Sequence, residues 1–218
     1  FDGEKFIPET EKIKGHLGPD FYAAQLFNNT PADRKIMIAW MKGSEFPQMP
    51  FSQCMTVPLR LSLKNTKAGL RLAFNPCQEL KLLRTGEIEK GINLTPVETA
   101  KILKKNFSEL MDIKLTLKNQ KSGNFQLTVK GFSINYDFNS NELTCAGKSS
   151  QLKMIDNNIN LRILVDRSVI EIFADEGLTA VAAGGNIFTD QKESINFKSE
   201  GSMKIKSLKI AKLKSSWV

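Results

Sequence analysis

The sequence predicts an all-β protein built as two units in tandem. Short strands suited to a propeller blade or small sheet come first, and an antiparallel β-sandwich follows. Three observations carry this. The apolar runs in the first third are brief and divided by Gly, Asn, Pro and Asp turn chemistry, which disfavours a parallel α/β fold. From Phe107 onward strand signals recur at close spacing with Gly, Asn and Ser turns between them, the pattern of an antiparallel sandwich. Finally, the stretch Leu161 to Gly177 reads as a β-hairpin. In it Leu161, Ile163 and Val165 alternate with Arg162 and Leu164. The break Asp166-Arg167-Ser168 follows, and a second apolar run covers Val169 to Ala174.

Taken in order, Gly15 to Asp20 is a loop, and Phe21 to Phe27 is a strand. The turn Asn28 to Asp33 leads into the largely apolar strand Lys35 to Met41, which makes an antiparallel pair with the first. Further strands are expected at Met55–Val57, Leu59–Leu63 and Leu70–Phe74. Asn75-Pro76-Cys77-Gln78 reads as a helix start, with Asn75 as cap, Pro76 at the first helical position and Gln78 reaching back. A short connecting helix over Glu79 to Arg84 would then divide the chain into residues 1–83 and 84–218. Thr95-Pro96-Val97-Glu98 repeats the capping logic ahead of Ala100 to Leu103, where a short helix and an extended segment both remain open. Later strands fall at Leu110–Leu117, Gly123–Val129, Phe132–Phe138 and Glu142–Cys145. After the hairpin come Thr179–Ala183, Ser194–Lys198 and Met203–Leu213.

Composition narrows the function classes. Of 218 residues 41% are hydrophobic and 25% charged, ordinary for a soluble globular protein able to bury a core. No apolar run approaches the roughly 20 residues needed to span a bilayer. The net charge of +8 comes from 31 basic and 23 acidic residues. The lysines are scattered from Lys5 to Lys214, and the densest runs are interleaved with apolar residues. That is the signature of amphipathic elements, so no nucleic-acid partner is expected. Cys54, Cys77 and Cys145 are far apart and form no Cys-x-x-Cys, and His16 is the single histidine. No metal site and no cofactor are therefore expected, and the thiols are read as free and buried. The chain opens on Phe1 rather than Met, which leads to the expectation that it starts in mid-protein.

Asp166 and Glu171 tempt as paired carboxylates. Asp166 suits the turn, however, and Glu171 is expected to alternate outward between Ile170 and Ile172. His16 has no Ser, Cys or Asp partner at a useful spacing and is read as a surface residue. Asp20 is read as a turn-former or cap. No residue of the chain is assigned a catalytic role.

The words of the sequence go further than its periodicity. Leu161-Arg-Ile-Leu-Val-Asp-Arg-Ser-Val-Ile-Glu-Ile-Phe-Ala-Asp-Glu-Gly177 resembles the C-terminal sandwich signature of glycoside hydrolase family 32, the family of invertases, levanases and inulinases. Leu208 to Trp217 resembles the family's last strand. Gly18-Pro-Asp-Phe-Tyr-Ala-Ala-Gln25, Arg34 to Met41, Met55 to Leu63 and the linker Asn75 to Arg84 are similar to its last propeller blade. The resemblance spans essentially the whole chain and implies a partial β-propeller (last blade) followed by a C-terminal antiparallel β-sandwich.

The family's retaining hydrolysis needs a carboxylate nucleophile and an acid/base Glu. In the family these lie, with a stabilising Asp, in Asn-Asp-Pro, Glu-Cys and Arg-Asp-Pro segments. None of those strings occurs here, and the missing blades are expected before Phe1. The resemblance implies a structural or accessory part of a fructan- or sucrose-hydrolysing enzyme, with a fructan-binding, lectin-like module as the alternative. Trp40 and Tyr22 occupy places that approach the sugar pocket in similar enzymes, and Asp20 joins them as a third candidate substrate contact. Where the family commonly carries an acid two places ahead of the glycine, this chain has His16. Implied too are a periplasmic or secreted location, and self-association through exposed blade edges.

Overall fold

The structure is a computed structural model, and it describes residues 2–8, 11–46, 49–118, 122–152, 157–185, 195–200 and 203–216. The start of the expected strand at Ser194 and the motif residue Trp217 lie outside the described residues.

Residues 21–76 form one antiparallel sheet. Its strands are β1 (Phe21–Leu26), β2 (Lys35–Met41), β3 (Cys54–Met55), β4 (Leu59–Thr66) and β5 (Gly69–Pro76), in the order β1-β2-β4-β5 with β3 paired to β2. Strand β1 carries a bulge between Tyr22 and Gln25, with Ala23 at φ 47°. One extra residue there bends the strand and re-aims its side chains.

The rest forms two packed sheets. The first contains β6 (Arg84–Leu94), β7 (Met111–Lys118), β12 (Asn158–Val165), β13 (Val169–Ala174), β14 (Thr179–Gly184) and β16 (Ile205–Leu213), ordered β14-β13-β12-β7-β16-β6. The second contains β8 (Asn124–Val129), β9 (Phe132–Asp137), β10 (Glu142–Cys145), β11 (Lys148–Gln151) and β15 (Ile195–Ser199), ordered β11-β10-β9-β8-β15. Alternation builds the core between them. Ile113, Leu115 and Leu117 from β7 meet Phe125 and Leu127 from β8, and Ile134 and Tyr136 from β9. The fold is all-β with a sandwich, as the strand spacing implied.

Helix α1 (Pro96–Lys105) resolves the alternative left open for that segment. The Thr95 hydroxyl accepts from the Glu98 N–H, and the Glu98 carboxylate accepts from the Thr95 N–H, a complete capping box. Leu103 then drops into the sandwich core.

The first capping motif behaves differently. Strand β5 runs on through Pro76, and the Asn75 amide donates to the Glu176 carbonyl at 2.9 Å instead of capping a helix. Only a six-residue 3-10 turn, Gln78–Leu83, follows, and its cap residue Cys77 offers no side-chain bond. The three cysteines are free: Cys77 and Cys145 are buried, and Cys54 is partly exposed.

Candidate functional site

Strand β13 is buried along its whole length, which a strand covered on one face cannot be. Ile170, Ile172 and Ala174 face the sandwich core, and Val169 and Phe173 point the other way. What covers that second face is the blade sheet. Phe173, Leu164 and Ala180 pack with Leu59 and Phe74, and Val169 and Ala182 pack with Met41. Backbones touch here: a Cβ on Gly18 would stand 2.2 Å from the Ala182 carbonyl oxygen, and one on Gly184 would stand 2.5 Å from the Ser44 nitrogen. The absent side chains at these two positions permit the approach. The Leu17 N–H donates to the Ala180 carbonyl at 2.9 Å, so the 15–20 loop covers part of edge strand β14.

The joint corrects two expectations. Glu171 does alternate away from the sandwich core, but it meets the blade rather than solvent and is 4% exposed. Its Oε1 accepts the Val57 N–H at 2.9 Å, and Oε2 has no partner among the described residues. Burial, with a smaller contribution from the Asp166 charge, pushes this carboxyl up to about 8 against the opposing Val57 bond. His16 is not a surface residue. Its ring stacks on Phe21 at 3.9 Å and meets Phe74 edge-on at 5.7 Å. Nδ1 accepts the Gly18 N–H, Nε2 is buried without a partner among the described residues, and burial pushes the imidazole down to about 4. No pattern within the Glu171 strand announces its burial, because the covering Val57 comes from far along the chain, whereas His16 is covered both by nearby Phe21 and by distant Phe74.

Asp166 sits in the turn as expected. Its N–H donates to the Val169 carbonyl, and its Oδ1 accepts from the Arg167 N–H. Sequence reasoning passed over Lys130, which is 6% exposed. Its ammonium donates to the carbonyls of Glu109, Asp166 and Arg167, fixing the hairpin turn from outside its own strands.

The three candidate substrate contacts separate into a pair and a single residue. Tyr22 and Trp40 are cross-strand partners on β1 and β2, with ring centroids 5.9 Å apart in an edge contact. Tyr22 is 56% exposed, and the Lys42 ammonium lies 5.2 Å from its ring centre. Met55 pairs with Trp40 from β3, which continues the platform. Asp20 belongs to the joint: its Oδ2 accepts the Gly184 N–H at 2.9 Å. Among the described residues no group of three His, Cys, Asp or Glu side chains gathers as metal ligands would.

A blade-like sheet seated on a two-sheet sandwich is a fold this chain shares with solved structures. The exo-inulinase from Aspergillus awamori superimposes on all of this chain and 49% of its own, with TM-score 0.77 and 20% identity. The β-fructofuranosidase from Schwanniomyces occidentalis, complexed with fructosyl-erythritol, covers 99% of this chain and 52% of its own, with TM-score 0.75 and 17% identity. The family model for the glycosyl hydrolases family 32 N-terminal domain matches residues 1–76, and that for the family 32 C terminal matches residues 79–212. The chain belongs to glycosyl hydrolase family 32.

Among curated relatives, a levanase of Bacillus sp. (strain L7) is 28% identical over 98% of this chain and 26% of its own length. A levanase of Bacillus subtilis (strain 168) is 25% identical over 100% of this chain and 37% of its own. A sucrose-6-phosphate hydrolase of Zymomonas mobilis is 29% identical over 86% of this chain and 40% of its own. The chain spans between 26% and 41% of the length of the curated relatives it matches.

Proposed function

We propose that this chain is the accessory part of a β-fructofuranosidase-type hydrolase acting on fructan or sucrose. In this reading residues 1–83 are the last propeller blade, and 84–218 are the sandwich that buttresses it. One observation carries it: the blade sheet is packed on the sandwich at one end, and away from that joint it carries exposed apolar side chains on both faces. Leu63 and Leu72 pair across β4 and β5 on one face, and Tyr22 and Met55 flank Trp40 on the other, all of them exposed except Trp40. Apolar surface on both sides of a sheet suits a blade that neighbours would flank. The catalytic carboxylates come from those neighbours, while this part shapes the mouth of the site. Assays of the chain with sucrose, levan and inulin are expected to show no release of reducing sugar. Robust turnover would overturn the reading.

The exposed Tyr22 ring, set edge-on to Trp40, favours a second reading in which the chain binds fructan by itself, with Tyr22 and Trp40 as the stacking surface and Asp20 at the base of β1 holding the strand in place. Calorimetric titration with levan, inulin and fructose decides it. Heat that Tyr22→Ala abolishes supports binding, and no heat at millimolar ligand removes this reading. The exposed apolar side chains of the blade also make the chain self-associate, and sedimentation at increasing concentration reads that directly.

A further inference from the structure

The outer face of the six-stranded sandwich sheet is covered by the blade over β13 and β14, and it carries a charged depression over β7, β16 and β6. There Arg162, Lys114 and Lys209 stand in one register row on three adjacent strands. Like charges directly opposite one another across a ladder destabilise a sheet. Lys114 therefore has a cation on each side, and among the described residues its ammonium makes no hydrogen bond or ion pair. Burial, and then the Arg162 charge, lower the proton affinity of that amine.

The nearby carboxylates are already engaged. Both Asp112 oxygens are held, by Arg162 through two bonds of 3.0 and 2.9 Å and by Arg84 at 2.7 Å. Burial would raise that carboxyl, but the two guanidiniums outweigh it and keep it below the ordinary carboxylate range. Glu87 pairs with Arg84, and Glu89 with Lys209. Five cations, Lys81 included, face three carboxylates, so two positive charges stay unmatched. Between these groups lies a cavity of about 200 Å³, lined by Lys81, Arg84, Lys114 and Lys209 with Glu87 and Asp112. The small side chain of Ala211, set in register between Asp112 and Glu87, leaves the space open.

The geometry points to a binding site for a small multivalent oxyanion of the phosphate type, held by Lys114 and Lys81 in the cavity that Arg84 and Lys209 also line. Such an anion would supply the negative charge that the row of cations lacks. The anion is free inorganic phosphate or the phosphate group of a small ester.

Thermal unfolding of the full chain in inorganic phosphate, in fructose 6-phosphate and in sodium chloride at matched ionic strength tests this. Both phosphates are expected to raise Tm above the chloride control at millimolar concentration. A larger rise with the ester identifies an ester site, and equal rises identify free phosphate. Lys114→Gln is expected to weaken phosphate at least tenfold, and in chloride alone to leave Tm unchanged or higher, because it removes the repulsion. Lys81→Gln, outside the sheet, reads binding independently and is expected to weaken phosphate several-fold with Tm in chloride unchanged. No phosphate-specific shift in the natural chain would overturn the site. So would undiminished binding in both variants, or a Lys114→Gln chain less stable in chloride.

Discussion

The sandwich and the blade sheet are both antiparallel and similar in strand length, yet they are stabilised in different ways. The sandwich closes its own core: the inward rows of β7, β8, β9, β12 and β13 form one continuous apolar cluster. The blade has no comparable core. Its buried side chains Leu59 and Phe74 share a cluster with Leu164, Phe173 and Ala180 of the sandwich, and Met41 shares one with Val169 and Ala182. Away from the joint, Leu26, Leu63, Leu70 and Leu72 of the blade stay exposed. A sheet of this size needs a packed face to be stable, and the blade's packed face is the joint. The blade is thus a dependent element and the sandwich a self-sufficient one.

The sharpest way to break this comparison is to empty the joint. Phe173→Ala is expected to cost about 3–5 kcal/mol, the usual range for truncating a buried phenylalanine, with the blade losing structure first. Denaturant unfolding followed separately at Trp40 and by far-ultraviolet dichroism checks it, since the two transitions should part.

The pH dependence of the joint comes next. The folded state holds Glu171 protonated up to about 8 against an ordinary value of 4.5, so stability falls as pH rises between those values. His16 is held neutral down to about 4 against 6.5, so its contribution is lost as pH falls from 6.5 towards 4. Between 4.5 and 6.5 the two slopes cancel, and from 6.5 to 8 Glu171 acts alone. Stability should then decline by about 1.4 kcal/mol per pH unit at most. Glu171→Gln is expected to flatten that limb in urea titrations run between pH 6.5 and about 8, where Glu171 acts without His16.

Smaller effects sharpen the contrast from the sandwich side. Thr95→Ala removes the capping box of α1 and should cost about 1 kcal/mol, with the blade untouched. The smallest effect belongs to the end of the blade away from the joint. Leu72→Ser should change stability by less than about 0.5 kcal/mol, because the side chain is already 38% exposed, and it should reduce self-association in sedimentation.

What could be read from the chain beforehand follows the same division. Strand β2 was legible to the residue, because Lys35–Met41 is apolar and bounded by turn chemistry. Strand β6 was not: Arg84–Leu94 carries Gly86, Glu87, Glu89, Lys90 and Gly91, a composition with little strand preference. It is a strand because β16 pairs with it, which no local pattern reports. Polar β11, Lys148–Gln151, escaped for the same reason, through its pairing with β10. Asn75 has good capping chemistry but spends it on the Glu176 carbonyl. Glu171 shows the limit most clearly. Its alternation was legible, but the blade residues that bury it lie more than a hundred positions earlier in the chain. The Tyr22–Trp40 pair was legible as two residues, and their ring contact required the register of β1 on β2.

Amide hydrogen exchange on the intact chain tests the dependence of the blade on the joint most directly. Amides of β1, β2, β4 and β5 are expected to exchange through openings that leave β7, β12 and β13 protected, and Phe173→Ala should accelerate the blade set alone. Equal protection of blade and sandwich, lost together in the variant, would contradict the account.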